Sequence, residues 1–218
     1  MSAVATMNEK ANQIASQMNA DKMPESPVKI LVADDEHLVA SGVAANLKEL
    51  GFIPIGPAAD GEEAIELCRT MQPDLALLDI RMPRKDGLEA AEAIFNQMAI
   101  PVIIFSAYSD RDYVESGARA GVFGYMLKPV TQDQLRVNIS VAWSRYLDFV
   151  AKNQKISSLE ERLENRKIIE QAKWLLVEKK SIDEPEAMRV LQRQARNNRR
   201  TLVDVAQSLL ENQNLFDG

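Results

Sequence analysis

The sequence has few of the residues that support redox or soft-metal chemistry. It contains one cysteine, Cys68, and one histidine, His37, among 218 residues. A single cysteine excludes an intrachain disulfide and a cysteine metal centre, and the helical setting of Cys68 favours a buried, inert thiol. His37 has no second soft ligand near it in the sequence. We therefore interpret His37 as an exposed residue at the start of a helix.

Long apolar runs are also absent. No run approaches the roughly 20 residues that a transmembrane helix requires, and the N-terminus lacks the apolar core of a signal peptide. We therefore expect a cytoplasmic protein that does not bind membranes. The net charge of −6 argues against general polyanion binding by the whole chain. Residues 28–150 carry 11 Lys and Arg against 18 Asp and Glu, whereas residues 151–218 carry 13 against 11. This division predicts two domains with different partners.

Short apolar runs alternate with helical periods from Val28 onward. The pattern predicts strands over residues 29–33, 52–56, 75–78, 101–105 and 125–127, and helices over 37–50, 60–71, 87–98, 110–120 and from about 131. Five such repeats with short connections indicate an α/β fold with a doubly wound, five-stranded parallel sheet. Pro54 cannot donate a ladder hydrogen bond, so the second strand is expected near an edge. Residues 1–27 are interpreted as a mobile extension that ends in a proline-containing linker.

Polar side chains follow several of the predicted strands. Asp34 and Asp35 follow the first strand and Asp79 ends the third, while Ser106 and Lys128 end the fourth and fifth. Ligands bind at the carboxyl ends of the strands in open α/β sheets. Carboxylates gathered there repel one another unless a hard cation lies among them, and Mg²⁺ prefers such oxygen ligands. A lysine opposite them would offset the charge of an incoming phosphoryl group.

This arrangement resembles the receiver domain of bacterial two-component response regulators, a flavodoxin-like fold, over about residues 28–148. The motifs that carry the resemblance are Asp34-Asp35, Leu78-Asp79-Ile-Arg-Met-Pro83 with Asp86-Gly87, Ser106-Ala107, and Tyr125-Met-Leu-Lys128-Pro129. The resemblance implies that Asp79 accepts phosphate from a histidine kinase. It also implies that Asp34, Asp35, Asp79 and the backbone carbonyl of Arg81 hold Mg²⁺. By the same resemblance Ser106 and Tyr125 form a switch pair, Lys128 contacts the phosphoryl group, and Pro129 follows a cis bond.

The last helix of the sheet domain extends further than that domain requires. Residues 131–179 contain neither proline nor glycine, which allows one long helix or two helices with a bend near Asn153. Ile156, Leu159 and Leu163 follow the a/d spacing of a coiled coil over about two heptads. This seam is typical of helix pairing between chains, and packing against the receiver of the same chain is the alternative.

Two more helices complete a small three-helix bundle. The pattern Ser181-Ile-Asp-Glu184 predicts a capping box, followed by a helix that ends at Asn197-Asn198, and Thr201 starts the third helix. No acid lies between Glu186 and Asp204, but five arginines do, at positions 189, 193, 196, 199 and 200. Such a surface is either a solvated face or a contact for a phosphate backbone, and the preference for arginine favours phosphate.

This tail resembles the ANTAR domain, an RNA-binding antiterminator module, over about residues 159–210. The matching residues are Arg166, Glu170-Gln-Ala-Lys173, Leu175-Leu176, Glu186-Ala187, Leu191, Ala195 and Leu202-Val-Asp-Val-Ala206. Trp174 stands where the family usually has glycine, and it could weaken RNA binding, stack on a base or pack internally. The predicted RNA contacts are Arg166, Lys173, Arg196, Arg199 and Arg200.

The predicted domains are an extension (1–27), a receiver (28–148), a helical or coiled-coil linker (149–165) and an ANTAR-like bundle (166–218). We expect a phosphorylation-controlled regulator that binds hairpin RNA as a homodimer and causes transcription antitermination. Catalysis is expected only as self-catalysed phosphotransfer and dephosphorylation, not as an enzyme activity. The alternatives are a DNA-binding transcription factor and a receiver with a protein-interaction output. The turns of the tail lack the usual glycine of a helix-turn-helix, which disfavours DNA.

Overall fold

The computed structural model describes residues 28–107 and 121–214, so the predicted extension over 1–27 and the predicted helix over 110–120 lie outside the described residues. The chain divides into two compact units, residues 1–151 and 152–218. In the described part of the chain the elements are β1 (Lys29–Ala33), α1 (His37–Glu49), β2 (Ile53–Ala58), α2 (Gly61–Met71), β3 (Leu75–Asp79), α3 (Gly87–Met98), β4 (Val102–Ser106), β5 (Val122–Leu127), α4 (Gln132–Lys180), α5 (Glu184–Asn198) and α6 (Leu202–Asn214).

The five strands form one parallel sheet in the order β2-β1-β3-β4-β5. The predicted fold class is therefore confirmed, and β2 lies at an edge as Pro54 indicates. All five residues of β3 are buried, which agrees with an apolar run covered on both faces. The chain leaves β1 in opposite directions toward β2 and β3, so the carboxyl ends of β1 and β3 flank the point where ligands bind in such sheets.

Strand β5 begins at Val122, three residues before the predicted start. The sequence between Gly121 and Gly124 suggests a turn, but Val122 and Gly124 pair with Val102 and Ile103 of β4. A Cβ atom on Gly124 would lie 3.2 Å from the Ile103 side chain. Glycine suits this position because the Ile103 side chain already fills the space that a side chain at residue 124 would need.

Each face of the sheet carries its own apolar core. Helix α1 and the first turns of α4 cover one face, while α2 and α3 cover the other. Cys68 is fully buried in the second core, as predicted. Within this unit Tyr146 of α4 is 1% exposed and donates a hydrogen bond of 2.8 Å to the carbonyl oxygen of Ala99. Its ring packs edge-on against Phe123, with ring centroids 5.4 Å apart.

The second unit is built from the end of α4 with α5 and α6. Its core contains a few small and branched side chains, namely Ala172, Leu176, Ala187, Leu191 and Ala206. The predicted capping box at Ser181 is wrong by two residues. Asp183 is the cap and accepts a hydrogen bond from the backbone N–H of Glu186, whereas Ser181 has φ 49°. Ser181 therefore belongs to the turn that ends α4, and the aspartate caps the helix through the N–H it can reach.

Candidate functional site

Three aspartates meet at the carboxyl ends of β1 and β3. Ala33 and Leu78 are register partners, so Asp34 and Asp79 follow them side by side. One carboxylate oxygen each of Asp34, Asp35 and Asp79 lies within 4.8 Å of the others. Asp34 and Asp79 are 2% and 5% exposed, whereas Asp35 is exposed. The sheet thus brings Asp79 to a pair of carboxylates that is distant in the sequence, as the motifs predict.

Backbone groups orient the two buried carboxylates. The N–H of Glu36 donates to Asp34 Oδ1 at 2.9 Å, and the N–H of Arg81 donates to Asp79 Oδ2 at 3.0 Å. The chain then returns close to Asp79, because a Cβ atom at Gly87 would overlap the Asp79 carbonyl oxygen. Only glycine allows this approach, which is the physical reason for the Asp86-Gly87 pair at the start of α3.

Lys128 connects the two buried carboxylates from the end of β5. Its Nζ lies 2.8 Å from Asp34 Oδ2, 2.9 Å from Asp79 Oδ1 and 5.1 Å above the centre of the Phe105 ring. Burial alone would lower the pKa of Lys128, but its hydrogen bonds to Asp34 and Asp79 outweigh burial and raise that pKa. Burial raises the pKa of Asp79 above its ordinary value, against the hydrogen bond from Lys128. The Lys128–Pro129 bond is cis, as the resemblance implies.

Ser106 and Tyr125 occupy neighbouring strands beside this cluster. Ser106 ends β4 and is 2% exposed, and its hydroxyl donates to the carbonyl oxygen of Ala107 at 3.1 Å. The backbone carbonyl of Ser106 accepts the N–H of Lys128 at 2.8 Å. Tyr125 pairs with Ile104 and holds its hydroxyl oxygen away from solvent. The predicted switch residues are therefore adjacent in the sheet, and Ser106 is bonded to its own strand end instead of to Asp79.

The donor set fits a hard divalent cation. Three carboxylates, two of them buried and oriented by backbone N–H groups, place oxygens within 4.8 Å of one another. Oxygen ligands of this kind suit Mg²⁺, which also keeps several waters. The exposed position of Asp35 leaves the open side of the cluster accessible to water. Asp34, Asp35 and Asp79 are the residues that would hold the ion. The Arg81 carbonyl stays a predicted fourth ligand.

A second group of candidate residues lies on the C-terminal third of α4, on α5 and in the turn after α5. Arg189 and Arg193 both face Glu186, at 2.7 Å and 3.7 Å, so a carboxylate partly offsets their charge. Arg166, Arg196 and Arg199 are exposed, and none of them has an ion pair among the residues that the structure describes. These three remain in the set of predicted RNA contacts.

Lys173, a predicted RNA contact, already has two carboxylate partners within the ANTAR unit. It is 8% exposed, and its Nζ lies 2.9 Å from Glu170 and 2.6 Å from Glu184. The hydrogen bonds that the Lys173 ammonium donates to Glu184 and Glu170 raise the pKa of Lys173. This arrangement fits an internal link between α4 and α5 better than a phosphate contact, because two carboxylates already surround the ammonium group. Sequence spacing could not reveal it, since Glu184 lies on another helix.

Trp174 is 62% exposed, which excludes the interpretation that it packs within its own unit. A pocket lies between the end of α4, α5 and α6, and its polar rim includes Lys180, Gln194 and Asn198. These residues carry no motif signal, because three separate helices bring them together. No helix within residues 28–107 and 121–214 combines the length and the apolar character that a membrane span needs.

Comparison with protein families matches residues 30–140 to the response regulator receiver domain and residues 157–210 to the ANTAR domain. The protein belongs to the response regulators and joins a receiver domain to a C-terminal ANTAR domain. It is similar to the transcriptional regulatory protein PdtaR of Mycobacterium tuberculosis, with 40% identity over 85% of this chain and 90% of that protein. It also shares 38% identity with the transcriptional regulatory protein HptR of Staphylococcus aureus, over 50% of this chain and 44% of HptR.

Solved structures agree with the receiver fold. The signal receiver domain of a modulated diguanylate cyclase from Desulfovibrio desulfuricans G20 superposes with a TM-score of 0.52 and 29% identity, over 56% of this chain and 99% of that one. The receiver domain of NarL from Mycobacterium tuberculosis gives 0.50 and 32%, over 54% and 97%. Both matches cover about the share of the chain that the sheet domain occupies.

Proposed function

We propose that this response regulator is a phosphorylation-controlled RNA-binding protein that causes transcription antitermination in the cytoplasm. A histidine kinase phosphorylates Asp79, and the ANTAR unit then binds a hairpin in a leader RNA. The observation that carries the proposal is one chain holding both an oriented Asp34-Asp79-Lys128 cluster and an ANTAR unit with exposed arginines. ANTAR domains bind RNA as a family, which supports the class of partner.

The receiver cluster suits phosphoryl transfer to a carboxylate. When bound, Mg²⁺ neutralises the transferring group and aligns it with its nucleophile. Arg81 N–H fixes one oxygen of Asp79, and Lys128 provides a positive charge beside the other. The attack forms a bond between an Asp79 oxygen and phosphorus, and the bond from phosphorus to the kinase imidazole breaks. No catalysis beyond this self-assisted transfer and the later hydrolysis is proposed.

Phosphorylation adds a charge of about −1.5 to −2 beside Ser106 and Lys128. In the structure the Ser106 hydroxyl donates to the carbonyl oxygen of Ala107, a neutral contact that a phosphoryl oxygen can replace. We infer that Ser106 turns toward the phosphoryl group and that Tyr125, two strand positions away on β5, moves with it. The surface around β5 would then differ between the two states and favour pairing of two chains.

The test is hairpin RNA binding by electrophoretic mobility shift, with and without acetyl phosphate and Mg²⁺. We expect binding that depends on the phosphoryl donor in the wild type and that is lost in Asp79→Asn. Asp74→Asn is the matched control, because Asp74 precedes β3 at its other end and accepts a hydrogen bond from Lys29 N–H. Duplex DNA of equal length serves as the competing ligand.

Each result has a defined meaning. Donor-dependent RNA binding in the wild type and Asp74→Asn, but not in Asp79→Asn, supports the whole proposal. RNA binding that is the same with and without acetyl phosphate, and the same in Asp79→Asn, refutes control by phosphorylation. Preference for duplex DNA, or binding to neither nucleic acid in any state, refutes the RNA function and favours a DNA-binding or protein-interaction output.

A further inference from the structure

The ANTAR unit contains a pocket of about 280 Å³ whose lining includes one predicted RNA contact, Arg200, among residues to which no role is assigned. Its floor is apolar and formed by Leu176, Val190, Leu191, Val205 and Leu209, which come from α4, α5 and α6. This volume is just below the range of about 300–1,000 Å³ that is typical of small-molecule sites. The pocket therefore has room for one ring system with its immediate substituents.

The rim of the pocket is polar and carries positive charge. Lys180 and Arg200 contribute the charge, Gln194, Asn198 and Ser208 contribute amide and hydroxyl groups, and none of the described residues that line the pocket is a carboxylate. A purely apolar ligand would give these polar groups no hydrogen-bond partner, and a cation would be repelled by Lys180 and Arg200. The complementary ligand is a flat apolar ring with hydrogen-bonding edges that is attached to an anion.

Two hydrogen-bonded groups hold the rim in place before any ligand arrives. Arg200 Nη2 donates to Ser208 Oγ at 2.9 Å and to the Asp204 carbonyl at 3.2 Å. Asn198 Nδ2 donates to Gln194 Oε1 at 3.3 Å. This bond leaves the amino group of the Gln194 side chain free to donate and the side-chain carbonyl of Asn198 free to accept. A donor beside an acceptor matches the hydrogen-bonding edge of a nucleobase.

The exposed arginines lie beside the pocket in sequence. Arg199 occupies the left-handed residue that ends α5, with φ 51°, and directly precedes Arg200. A phosphate backbone held by Arg196 and Arg199 would therefore pass the rim, and its loop bases would be within reach of the pocket. We propose that this pocket receives one unpaired base of the RNA loop, with the adjacent phosphate on Lys180 and Arg200. This inference rests on the RNA-binding function proposed above.

The experiment uses the full chain, treated with acetyl phosphate and Mg²⁺, and a pool of hairpin RNAs with randomised loops. The hairpin that is enriched is resynthesised with each loop base removed in turn, leaving an abasic sugar. For the wild type we expect one loop position at which removal weakens binding by about tenfold or more. Val190→Phe fills the pocket, Gln194→Ala removes an edge contact at an exposed position, and Arg189→Ala is the control outside the pocket.

In Val190→Phe we expect weaker binding of the intact hairpin and no further loss on removal of that base. Gln194→Ala should reduce the abasic penalty, and Arg189→Ala should leave it unchanged. An abasic penalty of wild-type size in both pocket variants overturns the proposal while the RNA function stands. Gln194→Ala keeps this outcome decisive if Val190→Phe does not fold, as judged by circular dichroism. Failure to enrich any hairpin overturns the RNA function together with the pocket.

Discussion

At the scale of single residues, Gly87 allows the chain to pass close to Asp79 at the end of β3. We expect Gly87→Ala to lower the free energy of unfolding by about 1–3 kcal/mol, because its Cβ would overlap the Asp79 carbonyl oxygen and force the backbone to move. Phosphorylation of Asp79 by acetyl phosphate should slow at the same time, since the displaced residue is the proposed nucleophile. Urea unfolding and phosphate incorporation measure the two effects.

Gly42→Ala is the control for this substitution. Gly42 is exposed in α1, and no atom lies within 4 Å of the position that a Cβ would occupy there, so alanine should stabilise the protein by about 0.5–1 kcal/mol. Phosphorylation of this variant should match the wild type. Equal stability of Gly87→Ala and Gly42→Ala would contradict the close approach at Asp79.

Substitutions at Lys173 and Arg199 can distinguish a structural cation from a proposed RNA contact. Lys173→Met should lower the melting temperature of the ANTAR unit, because it leaves Glu170 and Glu184 facing each other without a counter-charge. Arg199→Gln should leave the melting temperature unchanged but weaken RNA binding and reduce its salt dependence by about one counterion. The reverse pattern, with RNA affinity lost in a thermally unchanged Lys173→Met, would restore Lys173 as an RNA contact.

At the scale of elements, Tyr146 joins the start of α4 to the receiver core. Burial raises the pKa of Tyr146 from 10.0 to about 12. The pKa of Tyr146 is higher in the folded than in the unfolded chain. Its contribution to the free energy of unfolding is therefore fully present below pH 10.0 and is lost as the pH rises toward about 12. The wild type should lose on the order of 1 kcal/mol from this group by pH 11, because only the unfolded tyrosine ionises readily there.

Tyr146→Phe isolates this contribution. At pH 8 the variant should be less stable by about 1 kcal/mol, since the hydrogen bond to the Ala99 carbonyl is lost. The difference should shrink as the pH approaches 11, because phenylalanine does not ionise. Urea unfolding of both proteins across this range is the measurement. A difference that stays constant with pH would show that the Tyr146 hydroxyl titrates alike in the folded and unfolded chains.

The elements also show where sequence reasoning succeeds. Strand β3 is evident because an apolar run between two prolines has the length and composition of a buried strand. The residues that follow the strands are predicted to meet because the carboxyl ends of parallel strands lie at one edge of the sheet. The start of β5 was missed because glycines at 121 and 124 suggest a turn locally, while pairing with β4 decides the outcome. The cap at Asp183 was missed for a similar reason, since Ser181 satisfies the same local pattern.

The contacts of long side chains were less predictable than the elements. The pairing of Lys173 with Glu184 and the rim of the ANTAR pocket depend on how helices pack, which no local spacing encodes. The motif residues of the receiver are different, because their positions follow directly from strand ends. Asp34, Asp79 and Lys128 were therefore predicted together, and their contacts at 2.8 Å and 2.9 Å bear this out.

At the scale of the whole molecule, the predicted homodimer needs a surface through which two chains associate. Ile156, Leu159 and Leu163 are 52%, 47% and 61% exposed on α4, and their spacing places them on one side of the helix. Three exposed aliphatic side chains at a/d positions are typical of a surface that a second helix covers. About two heptads form only a weak seam, so a homodimer held by it should depend on protein concentration and gain from a second contact in the phosphorylated receiver.

Leu163→Glu tests this association by adding a charge to the seam. We expect the variant treated with acetyl phosphate and Mg²⁺ to sediment as a monomer at concentrations where the wild type is a dimer. Ser158→Glu adds the same charge on another, exposed side of α4 and should remain dimeric. A two-hairpin RNA should also lose its affinity advantage over a single hairpin in Leu163→Glu, because one chain cannot engage both sites. Dimers that persist in Leu163→Glu would assign the pairing to the receiver instead of the seam.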